Sequence, residues 1–353
     1  MIRYLRSWFE RHFSDPQVVI LALVLLIGLA LIVFAGRLLA PLIASVIVAY
    51  LLEGGVRYLE HHGAPRFPAV IVVFSLFLSL FISIMLLLLP LLAGQLSQLA
   101  RELPAIATKT QELMLQLPER YPQIFSEQQI RELLASIRHN LTTFGQQVVV
   151  LSLTSAVQLM TLLVYLVLVP LLVFFMLKDK HKIVSWLLVF LPQERTLVNN
   201  VWADVDAGIG HYVRGKFIEI LIVWAVSYAA FTLLGLPYAM LLSLATGLSV
   251  IVPYVGAAII TIPVAAVAYV EFGVTPAFWY ALGAYGVIQF LDGNLLAPLL
   301  FSEVVNLHPV AVIAAILVFG GIWGLWGVFF AIPLATLVAA VLNAWPTRTD
   351  QTE

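Results

Sequence analysis

The stretch ILIVWAVSYAAFTLLGLPYAMLLSLATGLSVIVPYVGAAIITIPVAAVAYV, residues 220–270, runs for 51 residues without an Asp, Glu, Lys or Arg. A helix needs about 20 mostly apolar residues to cross roughly 30 Å of hydrocarbon, so this run holds more chain than one crossing uses. Further uncharged runs cover 18–36, 38–52, 67–100, 139–177, 272–291 and 304–347. Together they accommodate about seven to nine crossings. Composition agrees: 62% of the 353 residues are hydrophobic and 10% charged, against about 25% charged in soluble domains. With no cysteine and a net charge of −1, the chain has no disulfide framework, no zinc–cysteine site, no thiol chemistry and no basic field for nucleic acid.

Backbone polar groups cannot go unpaired in lipid, so the runs are helices; the dyad alternation of a membrane barrel is absent. The expected class is therefore all-α, a polytopic integral membrane protein of about eight transmembrane helices, with Pro- and Gly-broken or re-entrant helices in its C-terminal half. Arg37 follows the first run without a small-residue cleavage pattern, so 18–36 is retained and pairs with 38–52 as a hairpin. Arg3, Arg6 and Arg11 before the first run, Arg57 and Arg66 after the second, and Lys178, Lys180 and Lys182 further on place the N-terminus in the cytoplasm. The organisation read from this is a cytoplasmic N-terminus (1–17), N-terminal membrane helices (18–93), a periplasmic amphipathic segment (94–147), a membrane helix (148–177), a cytoplasmic interfacial connection (178–216), a C-terminal membrane domain (217–345) and a cytoplasmic tail (346–353). In the periplasmic segment, Ser126 with Gln129 reads as a capping box ahead of Ile130, Leu133, Leu134, Ile137, Leu141 and Phe144 at helical spacing. Packing on the membrane surface or on a neighbouring subunit accounts for that face, with substrate gating as the other reading.

Charged groups inside a span cost about 2.5–3.5 kcal/mol, so each one is a functional candidate. Between Ile220 and Thr347 the acids are Glu271, Asp292 and Glu303, with Gln289, Asn294, Asn306 and His308 near the last two. The sequence Gln289-Phe-Leu-Asp292-Gly293-Asn294 followed by Pro298 has two readings. One is a helix broken mid-membrane, freeing backbone groups for a cation or polar substrate; the other is an ordinary surface turn. His308 before Pro309 is a proton relay or a helix cap, and no second ligand has metal spacing to it. Two further segments look alike: Gly256 through Ile262-Pro263-Val-Ala265, preceded by Pro253-Tyr254, and Gly327 through Ile332-Pro333-Leu-Ala335, preceded by Gly320, Gly321 and Gly324. Both read as helical hairpins bent at mid-depth, and interrupted segments in corresponding positions point to a transporter site. Candidate substrate- or ion-binding residues are thus Asp292, Asn294, Gln289, Asn306, His308, Glu303 and Tyr254. Hinge candidates are Pro253, Gly256, Pro263, Gly293, Pro298, Gly327 and Pro333. Arg214 and Glu219, beside Gly215 at the entrance of the next span, are gating candidates.

These motifs, together with Pro170 through Lys178-Asp179-Lys180, Tyr212-Val-Arg214-Gly215-Lys216 and Phe301-Ser-Glu303, resemble those of the autoinducer-2 exporter (AI-2E) family, in particular its permease-type members. The resemblance spans essentially the whole chain. It implies an inner-membrane transporter, with autoinducer-2 export assigned to some members and sodium or lithium/proton antiport to others, and a pentamer with an elevator-like moving domain. Expected partners are a small polar solute or a monovalent cation, the lipid bilayer and further copies of the chain. A Walker-type glycine loop is absent, so no ATP is expected, and neither a metal nor any cofactor is implied. Three functions stay open: export of a small polar metabolite or signal, cation/proton antiport through a buried acid, and a non-transporting membrane scaffold. Neither HExxH nor GxSxG occurs, so an intramembrane enzyme is not expected.

Overall fold

The computed structural model describes residues 16–102, 108, 128, 132, 136, 156–189, 196–253, 255–301 and 308–344. The elements among them are helical: α1 (Pro16–His61), α2 (Arg66–Ser83, carried through a π turn at Ile84–Leu88 to Glu102), α3 (Ala156–Lys178), α4 (Lys180–Val189), α5 (Thr196–Leu233), α6 (Ala239–Ser249), α7 (Val255–Phe272), α8 (Pro276–Leu291, carried through a π turn at Asp292–Leu296 to Phe301), α9 (Pro309–Phe329) and α10 (Ala331–Ala344). Five stretches among the described residues are long and apolar enough to cross a membrane: Leu38–His61, Arg66–Glu102, Val201–Leu233, Val255–Phe272 and Pro276–Phe301. Four further apolar stretches of 10–17 residues lie among the described residues, two of them within α3 and α9, which run for 23 and 21 residues. The chain is a multi-pass, all-helical membrane protein. The capping box and amphipathic run at 126–144 lie almost wholly outside the described residues.

The hairpin expected at Arg37 does not form. Helix α1 continues through Gly36, Arg37 and Pro41 for 46 residues. A single glycine between apolar flanks permits a turn without requiring one, and Pro41 withdraws only one backbone donor. Ser45, one turn on, is fully buried and donates from Oγ to the Pro41 carbonyl at 2.6 Å. Helix α5 likewise runs unbroken through Gly208, Gly210 and Gly215.

The chain divides into two compact units. The first comprises 1–77, 165–217 and 298–353. Its core joins Val56 of α1, Ala69 and Val70 of α2, and Val173 and Leu177 of α3, all buried. Beside it, Glu53 accepts from Lys180 Nζ at 3.0 Å and Arg66 Nη2 at 3.2 Å, and Arg66 also donates to the Leu177 carbonyl at 2.8 Å, capping the end of α3. Elsewhere in this unit, the Tyr212 hydroxyl donates to the Phe329 carbonyl at 3.0 Å and its ring packs on Phe301.

The second unit comprises 78–164 and 218–297. Its core is built from Phe231, Leu242, Val264, Val267, Ala268, Ala281 and Tyr285. Lipid supplies no hydrophobic drive between helices, so close approach at small residues does the packing. A methyl group on Gly247 would stand 2.8 Å from Trp224 Cβ and 2.9 Å from the Ile220 carbonyl oxygen, which is how closely α6 lies on α5. Tyr285 ties α8 to α7 by donating to the Ala257 carbonyl at 2.6 Å, and Gln95 of α2 accepts from the Leu241 N–H at 2.9 Å. At the α5–α6 turn Tyr238 has φ 58°, a left-handed conformation uncommon outside glycine. Burial, followed by a hydrogen bond to Glu102, raises its phenol above the ordinary tyrosine range.

Candidate functional site

Each unit holds a tight helical reversal built on a crowded glycine. In the second unit α6 ends at Ser249, the chain turns through Val250–Pro253, and α7 returns along α6. A side chain on Gly256 would overlap the Ser249 carbonyl, so only glycine lets the arms meet there. In the first unit α9 is two helical pieces that join at Gly324, whose φ 61° and ψ −136° lie outside any helical region. Gly327 then faces the Phe319 carbonyl as Gly256 faces that of Ser249, with the same overlap for any added side chain. Pro263 and Pro333 follow inside α7 and α10. The resemblance of these two segments in sequence is therefore matched by a resemblance in local geometry.

The Asp292 region takes neither of its two expected forms. Helix α8 is neither broken nor turned at a surface; it passes through a π turn, in which the Ala297 N–H reaches five residues back to the Asp292 carbonyl. Pro298 follows immediately. A proline ring clashes with the carbonyl four residues earlier and offers that carbonyl no donor. Inserting one residue into the turn moves this carbonyl aside, so the helix absorbs the proline instead of stopping. The same pairing occurs in α2, where the Leu89 N–H bonds to the Ile84 carbonyl directly before Pro90. Single π turns inside α-helices are often found at functional sites.

Around this turn the second unit carries polar atoms in an apolar setting. Val223 of α5, Val250 after α6 and Ile288 of α8 form one buried cluster, with Ile220 and Leu296 against it. On the same two helices, Trp224 Nε1, Ser227 Oγ and Gln289 Nε2 are shielded from solvent and have no hydrogen-bond partner among the described residues. Leaving such a group unpaired costs about 1–3 kcal/mol, so each of the three is open to a polar partner. Asp292 is half-buried one turn beyond Gln289. Asn294 is exposed and returns its amide to the Phe290 carbonyl at 2.9 Å.

The remaining predicted residues disperse. His308, in the first unit, is exposed and acts as a helix cap, its Nδ1 accepting from the Val310 N–H at 3.3 Å. Tyr254, Glu303 and Asn306 lie outside the described residues. Arg214 is half-buried in the first unit, whereas Glu219 is buried in the second. Trp224 and Ser227 escape a reading based on charge, since serine and tryptophan are ordinary in apolar helices; only their i, i+3 spacing along α5 hints at a shared face.

Residues 20–347 match a model of the AI-2E family transporters. The chain belongs to that family. It is 42% identical to "Putative permease PerM" of Escherichia coli (strain K12) over 98% of both chains. It is 27% identical to "Putative transport protein YueF" of Bacillus subtilis (strain 168), covering 93% of this chain and 92% of the relative, and 23% identical to "AI-2 transport protein TqsA" of Escherichia coli (strain K12), covering 92% of each. These AI-2E relatives carry the names of permeases and transport proteins, not of enzymes.

The π turn of this AI-2E protein makes a specific prediction. Pro298→Ala removes the reason for the inserted residue, and a return to α-helical pitch rotates the chain beyond it by about 100° relative to Asp292. The variant is expected to fold with an unchanged or higher melting midpoint while losing most of its transport. Full transport with a raised midpoint would show the π turn to be a passive accommodation of proline.

Proposed function

We propose that this AI-2E family member exports a small polar metabolite or signal across the inner membrane, with its N-terminus in the cytoplasm and Asp292 at the solute site. The observation that carries the reading is the shielded polar atoms without a partner among the described residues, Trp224 Nε1 and Ser227 Oγ on α5 and Gln289 Nε2 on α8, the helix whose π turn holds Asp292. Indole and amide N–H groups donate, a serine hydroxyl does either, and a carboxylate accepts. Such a set suits a hydroxyl-rich neutral solute better than a bare cation, which wants several oxygen ligands. The relative named as an AI-2 transport protein supports a solute of this kind. The Gly256 reversal supplies, within the second unit, a closely packed hairpin of the sort that transporters use around a site, and assembly into a pentamer with a moving domain follows from the family resemblance alone.

The test is flux in proteoliposomes. Wild-type protein is expected to release labelled autoinducer-2, and Asp292→Asn to fall to the level of empty vesicles while keeping its elution profile and melting midpoint. A mutant that transports as well as wild type removes Asp292 from the site. Sodium-driven proton movement that depends on Asp292, in the absence of solute efflux, would replace export by antiport.

A further inference from the structure

The first unit contains a cavity of about 460 Å³ between α1, the end of α3, α4 and the start of α5. Its volume lies within the range of about 300–1,000 Å³ typical of small-molecule sites. Val46 and Ala49 of α1, Met176 of α3, and Val184 and Leu188 of α4 give it apolar walls. Tyr50 and Trp202 place two aromatic rings on the same lining.

The charges around it are unequal in their pairing. Glu53 is saturated: Lys180 and Arg66 bind it, and Arg57 approaches at 3.5 Å. Lys180, the lining's one lysine, is held by that same carboxylate. Ser185 is turned to its own helix, donating to the Lys182 carbonyl at 2.9 Å. Asp206 differs. It accepts from the Tyr50 hydroxyl and has no cationic group within 4.0 Å among the described residues. The Tyr50 bond orients the carboxylate without neutralising it. His181 completes the titratable groups of the lining and is exposed.

From this geometry we infer a binding site for a lipophilic organic cation, an apolar body bearing a protonated amine or quaternary centre, with Asp206 as counter-ion and the Tyr50 and Trp202 rings beside the charge. Aromatic faces attract cations by about 0.5–2 kcal/mol each, and an apolar cavity holding one uncompensated carboxylate rejects an anion of equal shape. The site belongs to the first unit and uses none of the residues assigned to solute export, so it stands apart from that reading.

Tetraphenylphosphonium and tetraphenylborate share shape and size and differ in the sign of their charge. Equilibrium binding of each to the full chain in lipid nanodiscs, with empty nanodiscs subtracted, therefore isolates the electrostatics. Saturable tetraphenylphosphonium binding is expected, with none for tetraphenylborate. Asp206→Asn keeps an acceptor for Tyr50 and is expected to weaken the cation on the order of tenfold, the effect of about 1.4 kcal/mol. Val184→Trp, from an exposed turn of α4, is expected to fill the cavity and remove binding. Equal binding of the two probes, or an affinity untouched by both substitutions, would overturn the proposal and leave an apolar slot for acyl chains. Binding lost in Val184→Trp but kept in Asp206→Asn would overturn the role of the carboxylate.

Discussion

Gly256→Ala is expected to yield no stable protein. The first atom of any side chain there overlaps the carbonyl oxygen that ends α6, and the overlap is with backbone, so no rotamer relieves it. The α6–α7 reversal must open, and with it the packing of Leu242 against Val264 and Val267 in the core of the second unit. Overpacking in a core costs about 1–3 kcal/mol when side chains can yield, and a rigid backbone clash exceeds that. Gly327→Ala meets the Phe319 carbonyl in the same way and is expected to open the α9–α10 reversal of the first unit. Two glycines supply the control, because nothing lies within 4 Å of a methyl group at Gly283 or Gly286 on α8. There alanine is expected to keep or raise stability, since glycine costs a helix interior about 1 kcal/mol. Monodisperse yield on size exclusion and the midpoint of thermal unfolding read all four. A Gly256→Ala protein that melts with the wild type would refute the close approach.

The two reversals were legible because a small residue needed at a crowded backbone leaves a mark that composition cannot hide. Gly256 and Gly327 stand ahead of Ile262-Pro263 and Ile332-Pro333 in similar surroundings, and the packing explains why glycine is required. The membrane class was legible for a coarser reason, as runs such as 220–270 leave nothing but helix as a way to pair backbone groups in lipid. A proline and a charge both mislead. At Pro298 a stop was expected, yet the helix continues, because a π turn costs less than exposing a broken backbone inside an apolar bundle. At Arg37 the sequence points to a break between two spans, yet the helix continues through it. The shielded pair Trp224 and Ser227 was invisible, since burial of a neutral polar atom is a property of packing and not of residue type.

Glu53 escapes a reading based on uncharged runs, because it directly follows the run 38–52, although it lies inside α1 and is 8% exposed. Removing it is expected to destabilise the first unit. Its carboxylate holds Arg66 and Lys180, from α2 and α4, and Arg66 in turn caps α3 at the Leu177 carbonyl, so one residue ties four helices. Glu53→Ala leaves two cations facing each other across an emptied, shielded position. Breaking a fully buried pair costs about 3–5 kcal/mol; here Arg66 and Lys180 keep 22% and 33% of their side-chain surface, so a loss of about 2 kcal/mol is the expectation. It should appear as a melting midpoint lower by several degrees. Glu53→Gln isolates the charge, because the amide keeps one acceptor for Arg66 while its two hydrogens confront Lys180. A cycle with Lys180→Met then measures the coupling directly: if the ion pair does the work, the second substitution recovers part of the loss caused by the first. If Glu53→Ala melts with the wild type, α1, α2 and α3 are held by their apolar contacts at Val56, Val70 and Val173 alone.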